Sequence, residues 1–162
     1  MKHYLALAFA LAASAAPALA QEFKAGDITI EKPWARATPK GAEVGAGYLT
    51  IRNNGAAPDR FTGGTADFGN VEIHEMTMVD GVMKMRELKD GLAIPAHGSV
   101  TLAPSGYHLM FTGLKQPLTK GSVAKATLTF EHAGAIPVEF PVSGIGASSG
   151  GAKKDEMKGM KM

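Results

Sequence analysis

The chain has 162 residues, 17 Lys and Arg against 15 Asp and Glu, and no cysteine. That length suits one domain with a core of its own, and a near-neutral charge without a basic stripe argues against nucleic acid as partner. Without cysteine there are neither disulfides nor thiolate metal centres, so the fold must hold by packing.

The chain begins with Lys2 and His3, an apolar run over 4–13, and Pro17-Ala18-Leu19-Ala20, a small-x-small ending. The run is too short to cross a bilayer with ease. Residues 1–20 therefore read as a secretory signal peptide cut between Ala20 and Gln21, rather than as a retained anchor. The expected mature chain keeps 142 residues, has no membrane span and carries a net charge of +1 once Lys2 is gone. We expect it to be a monomer.

From Gln21 onward Gly, Pro, Asn or Asp recurs every eight to twelve residues, the rhythm of an all-β sandwich or barrel. The first strand is expected over 27–31, broken by Pro33-Trp34-Ala35-Arg36. Further strands are expected over 46–52, 59–65, 70–79, 82–88, 99–103, 107–112, 122–131 and 136–142. Ile94-Pro95-Ala96-His97-Gly98 reads as a loop. No helix of ten residues and no internal repeat emerges. The domain is expected to span 21–143. Residues 144–162 are rich in Gly, Ser and Lys and bury too little apolar surface to offset their ordering entropy, so they read as a flexible tail.

The stretch from Val71 to Met85, VEIHEMTMVDGVMKM, carries the densest chemistry. Asp80-Gly81 between Val79 and Val82 predicts a two-residue type I′ hairpin. That turn sets Val79 against Val82, Met78 against Met83, Thr77 against Lys84 and Met76 against Met85. Side chains alternate along a strand, so His74, Met76, Met78, Met83 and Met85 share one face. Opposed residues have β-carbons about 4.5–5.5 Å apart, and diagonal neighbours such as His74 and Met85 lie within reach of long side chains.

A second cluster follows at Tyr107-His108-Leu109-Met110. If Leu109 and Phe111 face the core, His108 and Met110 are free to point toward the hairpin. Imidazole with thioether is a soft donor set that suits copper(I) better than hard cations, and zinc less well for want of thiolate or carboxylate. Core filler is the competing explanation for a methionine stripe. The distribution favours a site. Five of the eight methionines expected in the mature chain fall at positions 76–110, and 21–75 contains none. His97 is an auxiliary candidate in a solvated loop, His132 reads as a turn residue, and Trp34 as a core anchor. Gly-x-Ser-x-Gly, His-Glu-x-x-His and phosphate-loop patterns are absent, so the chain is not expected to be an enzyme.

His-x10-Met followed some twenty residues later by His-x-Met resembles the signature of the PCu(A)C-type periplasmic copper chaperones. Pro33-Trp34-Ala35-Arg36-Ala37-Thr38-Pro39, Tyr48-Leu49-Thr50-Ile51, Gly106-Tyr107-His108-Leu109-Met110 and Gly113-Leu114-Lys115-Gln116-Pro117-Leu118 match family blocks in order. The resemblance implies a cupredoxin-like Greek-key barrel or sandwich in the periplasm, with one copper(I) on His74, Met85, His108 and Met110. Here 22 residues separate Met85 from His108, where the motif is often written with 21, which makes Met76 a competitor for the Met85 role. The resemblance also implies copper delivery toward cytochrome c oxidase assembly, to a copper-accepting oxidase subunit or a thiol-bearing assembly factor. Met157, Met160 and Met162 offer a second, weak copper site in the tail. The alternative is an exported protein-interaction module with a Met-rich face and no metal. A blue-copper redox site is excluded, because it needs a cysteine thiolate.

Overall fold

A computed structural model describes residues 22–150. The expected signal peptide, its cleavage point and the tail methionines Met157, Met160 and Met162 lie outside the described residues. Eleven strands follow one another: β1 (Glu22–Ala25), β2 (Ile28–Arg36), β3 (Val44–Asn53), β4 (Asp59–Ala66), β5 (Gly69–Val79), β6 (Val82–Glu87), β7 (Leu92–Ile94), β8 (Ser99–Leu102), β9 (Tyr107–Thr112), β10 (Val123–Phe130) and β11 (Gly134–Ser143). The fold class is all-β, as the punctuation of the sequence implies.

Seven strands close on themselves in the order β2-β11-β10-β4-β5-β9-β3, and the β2–β3 pairing completes the ring. β1, β6, β7 and β8 flank it, each paired to one barrel strand. Alternation sends one parity inward. Phe61, Phe111, Phe130 and Phe140 are fully buried there, with Phe61 stacked on Phe130 at 5.1 Å and Phe111 edge-on to Phe140 at 5.5 Å. Each such burial contributes roughly 1.5–3 kcal/mol. Gly47 makes room for this packing. A Cβ at that position would lie 2.6 Å from the Phe111 ring, so only glycine lets β3 pass beside it.

Three expectations need correction. Pro33-Trp34-Ala35-Arg36 does not end the strand. Lys32 takes a left-handed conformation, φ 51°, and the register between β2 and β3 shifts between Glu31 and Trp34. The bulge absorbs the proline, whose missing N–H is tolerated at such irregularities, and pairing resumes with Trp34 opposite Tyr48. Second, β1 precedes the expected first strand and turns into it through Gly26 and Asp27, with Ala25 paired to Ile28. Third, Ile94 is not loop but the end of β7, paired to Asp59. Both unforeseen strands are too short, at 4 and 3 residues, to show a period.

Candidate metal centre

Asp80 and Gly81 both have positive φ, 51° and 76°, the type I′ combination that the hairpin register requires. β6 folds back on β5 with Val79 opposite Val82, Met78 opposite Met83, Thr77 opposite Lys84 and Met76 opposite Met85. Every pair matches the expectation drawn from the turn.

On its other side β5 pairs with β9, and here the two halves of the pattern meet. His74 lies opposite His108, Glu72 opposite Met110, and Ile73 opposite Leu109. Leu109 and Phe111 are fully buried, so the opposite parity of β9 carries His108 and Met110 to the face that holds His74, Met76 and Met85. The imidazole rings of His74 and His108 lie 5.8 Å apart between centroids, tilted by 31°. Met110 and Met85 occupy diagonal positions on either side of this pair. Met76 lies two residues along from His74 on the same strand face, cross-strand from Met85.

Two layers of exposure meet at this face. His108 is buried and the His74 side chain is 12% exposed, whereas Met85 is 52% exposed. Met76 and Met110 are half-buried. Met78 and Met83, near the tip, are 62% and 47% exposed and not core filler. No methionine belongs to the buried core among the described residues. The two imidazoles are therefore fixed in the wall of the barrel while the hairpin thioethers reach into solvent.

The polar bonds assign a protonation pattern. The Glu72 carboxylate accepts from His74 Nε2 at 3.0 Å and from Thr112 Oγ1 at 3.1 Å. The bond from His74 and then that from Thr112 outweigh burial and hold the Glu72 carboxyl below the usual carboxylate range. An ionised carboxylate can only accept, so Nε2 of His74 carries a proton, and Nδ1 is the nitrogen whose lone pair is available in the metal-binding form of the ring. His74 Nδ1 is buried and has no hydrogen-bond partner. On His108 it is Nδ1 that approaches a carbonyl, Gly106 O at 3.4 Å. Burial lowers the His108 pKa, the Gly106 bond opposes it, and His74, whenever it is protonated, adds to the lowering, so the surroundings favour the neutral ring. Neutral imidazole is the form that binds metal.

Among the described residues no group of three or more His, Cys, Asp or Glu side chains is arranged to hold a metal ion. A centre here must draw on sulfur, and the donors that the strands bring together are imidazole and thioether. His97 and His132 lie elsewhere: His97 follows β7 with φ 51°, and the His132 amide donates to Asp59 Oδ1 in the turn between β10 and β11. Trp34 is buried against Tyr48 at 4.5 Å. Glu72 escaped the sequence reading, which weighed ligands and not their supports. The signal was present, because alternation sets Glu72, His74 and Met76 on one face of VEIHEM.

Residues 28–142 match the family described as LpqE-like lipoproteins. A protein of Leifsonia xyli subsp. xyli, named as the lipoprotein Lxx21020, is 32% identical over 120 residues, covering 74% of this chain and 71% of its own length. The copper-bound PCuAC domain from PmoF2 superposes with a TM-score of 0.64 at 30% identity, covering 76% of this chain and 98% of that domain. The solution structure of copper(I)-bound DR1885 from Deinococcus radiodurans superposes with a TM-score of 0.55 at 27% identity, covering 82% and 85%.

Proposed function

The chain belongs to the LpqE-like family and is of PCuAC type, and on that premise we propose that it is an exported copper(I) chaperone. His74, His108, Met110 and Met85 hold one ion, with Met76 in reserve for Met85. The acceptor is a copper-binding oxidase subunit or a thiol-bearing factor in cytochrome c oxidase assembly. The copper-bound states of PmoF2 and DR1885 support copper as the cargo. The lipoprotein naming of the family and of the Leifsonia relative supports export, here to the periplasm after cleavage at Ala20, although this chain has no cysteine to carry a lipid.

The observation that carries the reading is the His74–His108 pair, with the buried, unpartnered Nδ1 of His74, on a strand face shared with the hairpin methionines. It fits copper(I) by chemistry, since thioether sulfur is a soft ligand and a poor one for hard cations. The function follows from the difference in exposure. The imidazoles anchor the ion, and the hairpin thioethers are neutral, pliable and open to exchange. A partner's thiolate can take the place of Met85 first and draw the ion away as the remaining ligands are exchanged in turn. No bond other than metal–ligand bonds need change, so this is a carrier and not an enzyme. The tail methionines add a weak second capture site for copper(I).

The exposed cluster Met78, Val79, Val82, Met83 and Met85 also favours a second reading, an interaction module that binds a partner without metal. Titrating copper(I) against a competing chelator separates the two. We expect one tightly held ion per barrel in protein whose tail methionines are replaced by Leu, and a sharp loss in His108→Ala and Met110→Ala. Equal retention by both variants overturns the site, and no retention by the parent favours the interaction module.

A further inference from the structure

The bond from His74 Nε2 to Glu72 has a consequence for the imidazole that the copper site needs. We infer that Glu72 is a positioning residue, held by Thr112, that turns the His74 ring so that Nδ1 faces the cargo. This rests on the copper(I) reading for the identity of the cargo, but the positioning itself stands on the metal-free geometry.

Four observations carry it. Glu72 Oε2 accepts a hydrogen bond from His74 Nε2 at 3.0 Å, and Glu72 Oε1 is itself fixed by the Thr112 hydroxyl at 3.1 Å. Both oxygens are committed, so the carboxylate cannot swing away without breaking a second bond. The ring nitrogen left over, Nδ1, is buried without a partner, an arrangement that costs free energy unless something fills it. Finally, Glu72 lies opposite Met110 across the β5–β9 ladder, which sets the carboxylate beside the site without making it the soft donor. Metal-binding histidines commonly donate their second ring N–H to a carboxylate or carbonyl, which fixes the tautomer and raises the basicity of the ligating nitrogen.

The two histidines thereby differ. His108 donates Nδ1–H toward Gly106 O and offers Nε2, whereas His74 donates Nε2–H to Glu72 and offers Nδ1. The carboxylate has a second effect. Two imidazoles and two thioethers are all neutral, so a monovalent cation among them keeps its full charge. Glu72 supplies a negative charge touching one of the ligand rings. Glu87 stands across from His74 on exposed β6, and Lys89 acts on Glu72 from the loop beyond.

Nitrogen-15 NMR of the histidine rings, with copper(I) as the probe, tests this on the full mature chain. In metal-free wild type we expect His74 to show a protected Nε2–H and an unprotonated Nδ1. Glu72→Leu should lose that protected proton while remaining folded, because Glu72 lies partly exposed on the outer face and takes no part in the core. On copper(I) loading, the coordination shift should fall on Nδ1 of His74 and on Nε2 of His108. Glu72→Leu should weaken copper(I) binding about 10–100-fold, the usual cost of removing such a support. Glu72→Gln keeps an acceptor for Nε2–H and should recover part of the loss. Glu87→Gln removes a nearby charge that makes no hydrogen bond to the ring, and should leave the His74 tautomer unchanged. A copper shift on Nε2 of His74, or an unaltered His74 proton in Glu72→Leu, overturns the inference. If wild type takes up no copper(I), the function proposed above fails, and the metal-free tautomers alone decide the role of Glu72.

Discussion

The barrel interior and the outer face of β5 and β9 are made from the same strands read at opposite parity, with β6 extending that outer face. Ile73, Leu109 and Phe111 turn inward and are buried, while His74, His108 and Met110 turn outward one residue away. Among the described residues the interior uses Ile, Leu, Val, Phe and Ala and no methionine, whereas the outer face concentrates methionine and histidine. Stability and chemistry are thus separated by a single step along the backbone. The interior can be rigid because nothing has to leave it, and the outer face can be pliable because the interior does not depend on it.

This contrast breaks most visibly from the inside. Phe140→Ala empties a fully buried site and should lower the unfolding free energy by about 3–5 kcal/mol in urea denaturation, with copper(I) stoichiometry kept in the folded fraction. A smaller effect comes from Asp59, where β4 begins. Burial raises its pKa, but the backbone N–H groups of His132, Arg60 and Ala133 outweigh that and hold it below the ordinary value. Asp59→Ala should cost about 1.5–3 kcal/mol, the worth of hydrogen bonds to a charged group. Because the folded pKa is depressed, this contribution is present above the unfolded pKa of about 3.9 and is lost as pH falls through the folded value. The difference between wild type and Asp59→Ala should therefore shrink in acid, as pH-dependent melting would show. The smallest effect is expected at the hairpin tip. Met78→Ser with Met83→Ser should change stability by less than about 0.5 kcal/mol, as exposed positions do, and leave copper(I) affinity near wild type. A collapse of affinity would make those two residues ligands rather than a shield.

How much of this was legible in the sequence depends on how local the cause is. The hairpin register follows from two residues, Asp80 and Gly81, and all four cross-strand pairs expected from them are present. Strand parity told which of Leu109 and Met110 would be buried. The pairing of His74 with His108 is different in kind. It arises because β9 crosses the barrel to lie beside β5, and no turn between them encodes that register. Strand parity left His108 and Met110 free to point toward the hairpin, and the resemblance to the copper chaperones then named the four ligands. Pro33 misled because proline usually ends a strand, and the bulge at Lys32 that accommodates it leaves no mark in composition. Glu72 was missed because it is a support for a ligand, visible only once the ring it holds has a position.

Copper(I) X-ray absorption on the loaded barrel, with the tail methionines replaced by Leu, tests the central claim most directly, because it counts sulfur against nitrogen around the ion. The account predicts a mixed shell of two nitrogens and two sulfurs that loses sulfur in Met110→Ala and nitrogen in His108→Ala. A shell of nitrogen and oxygen alone would contradict it.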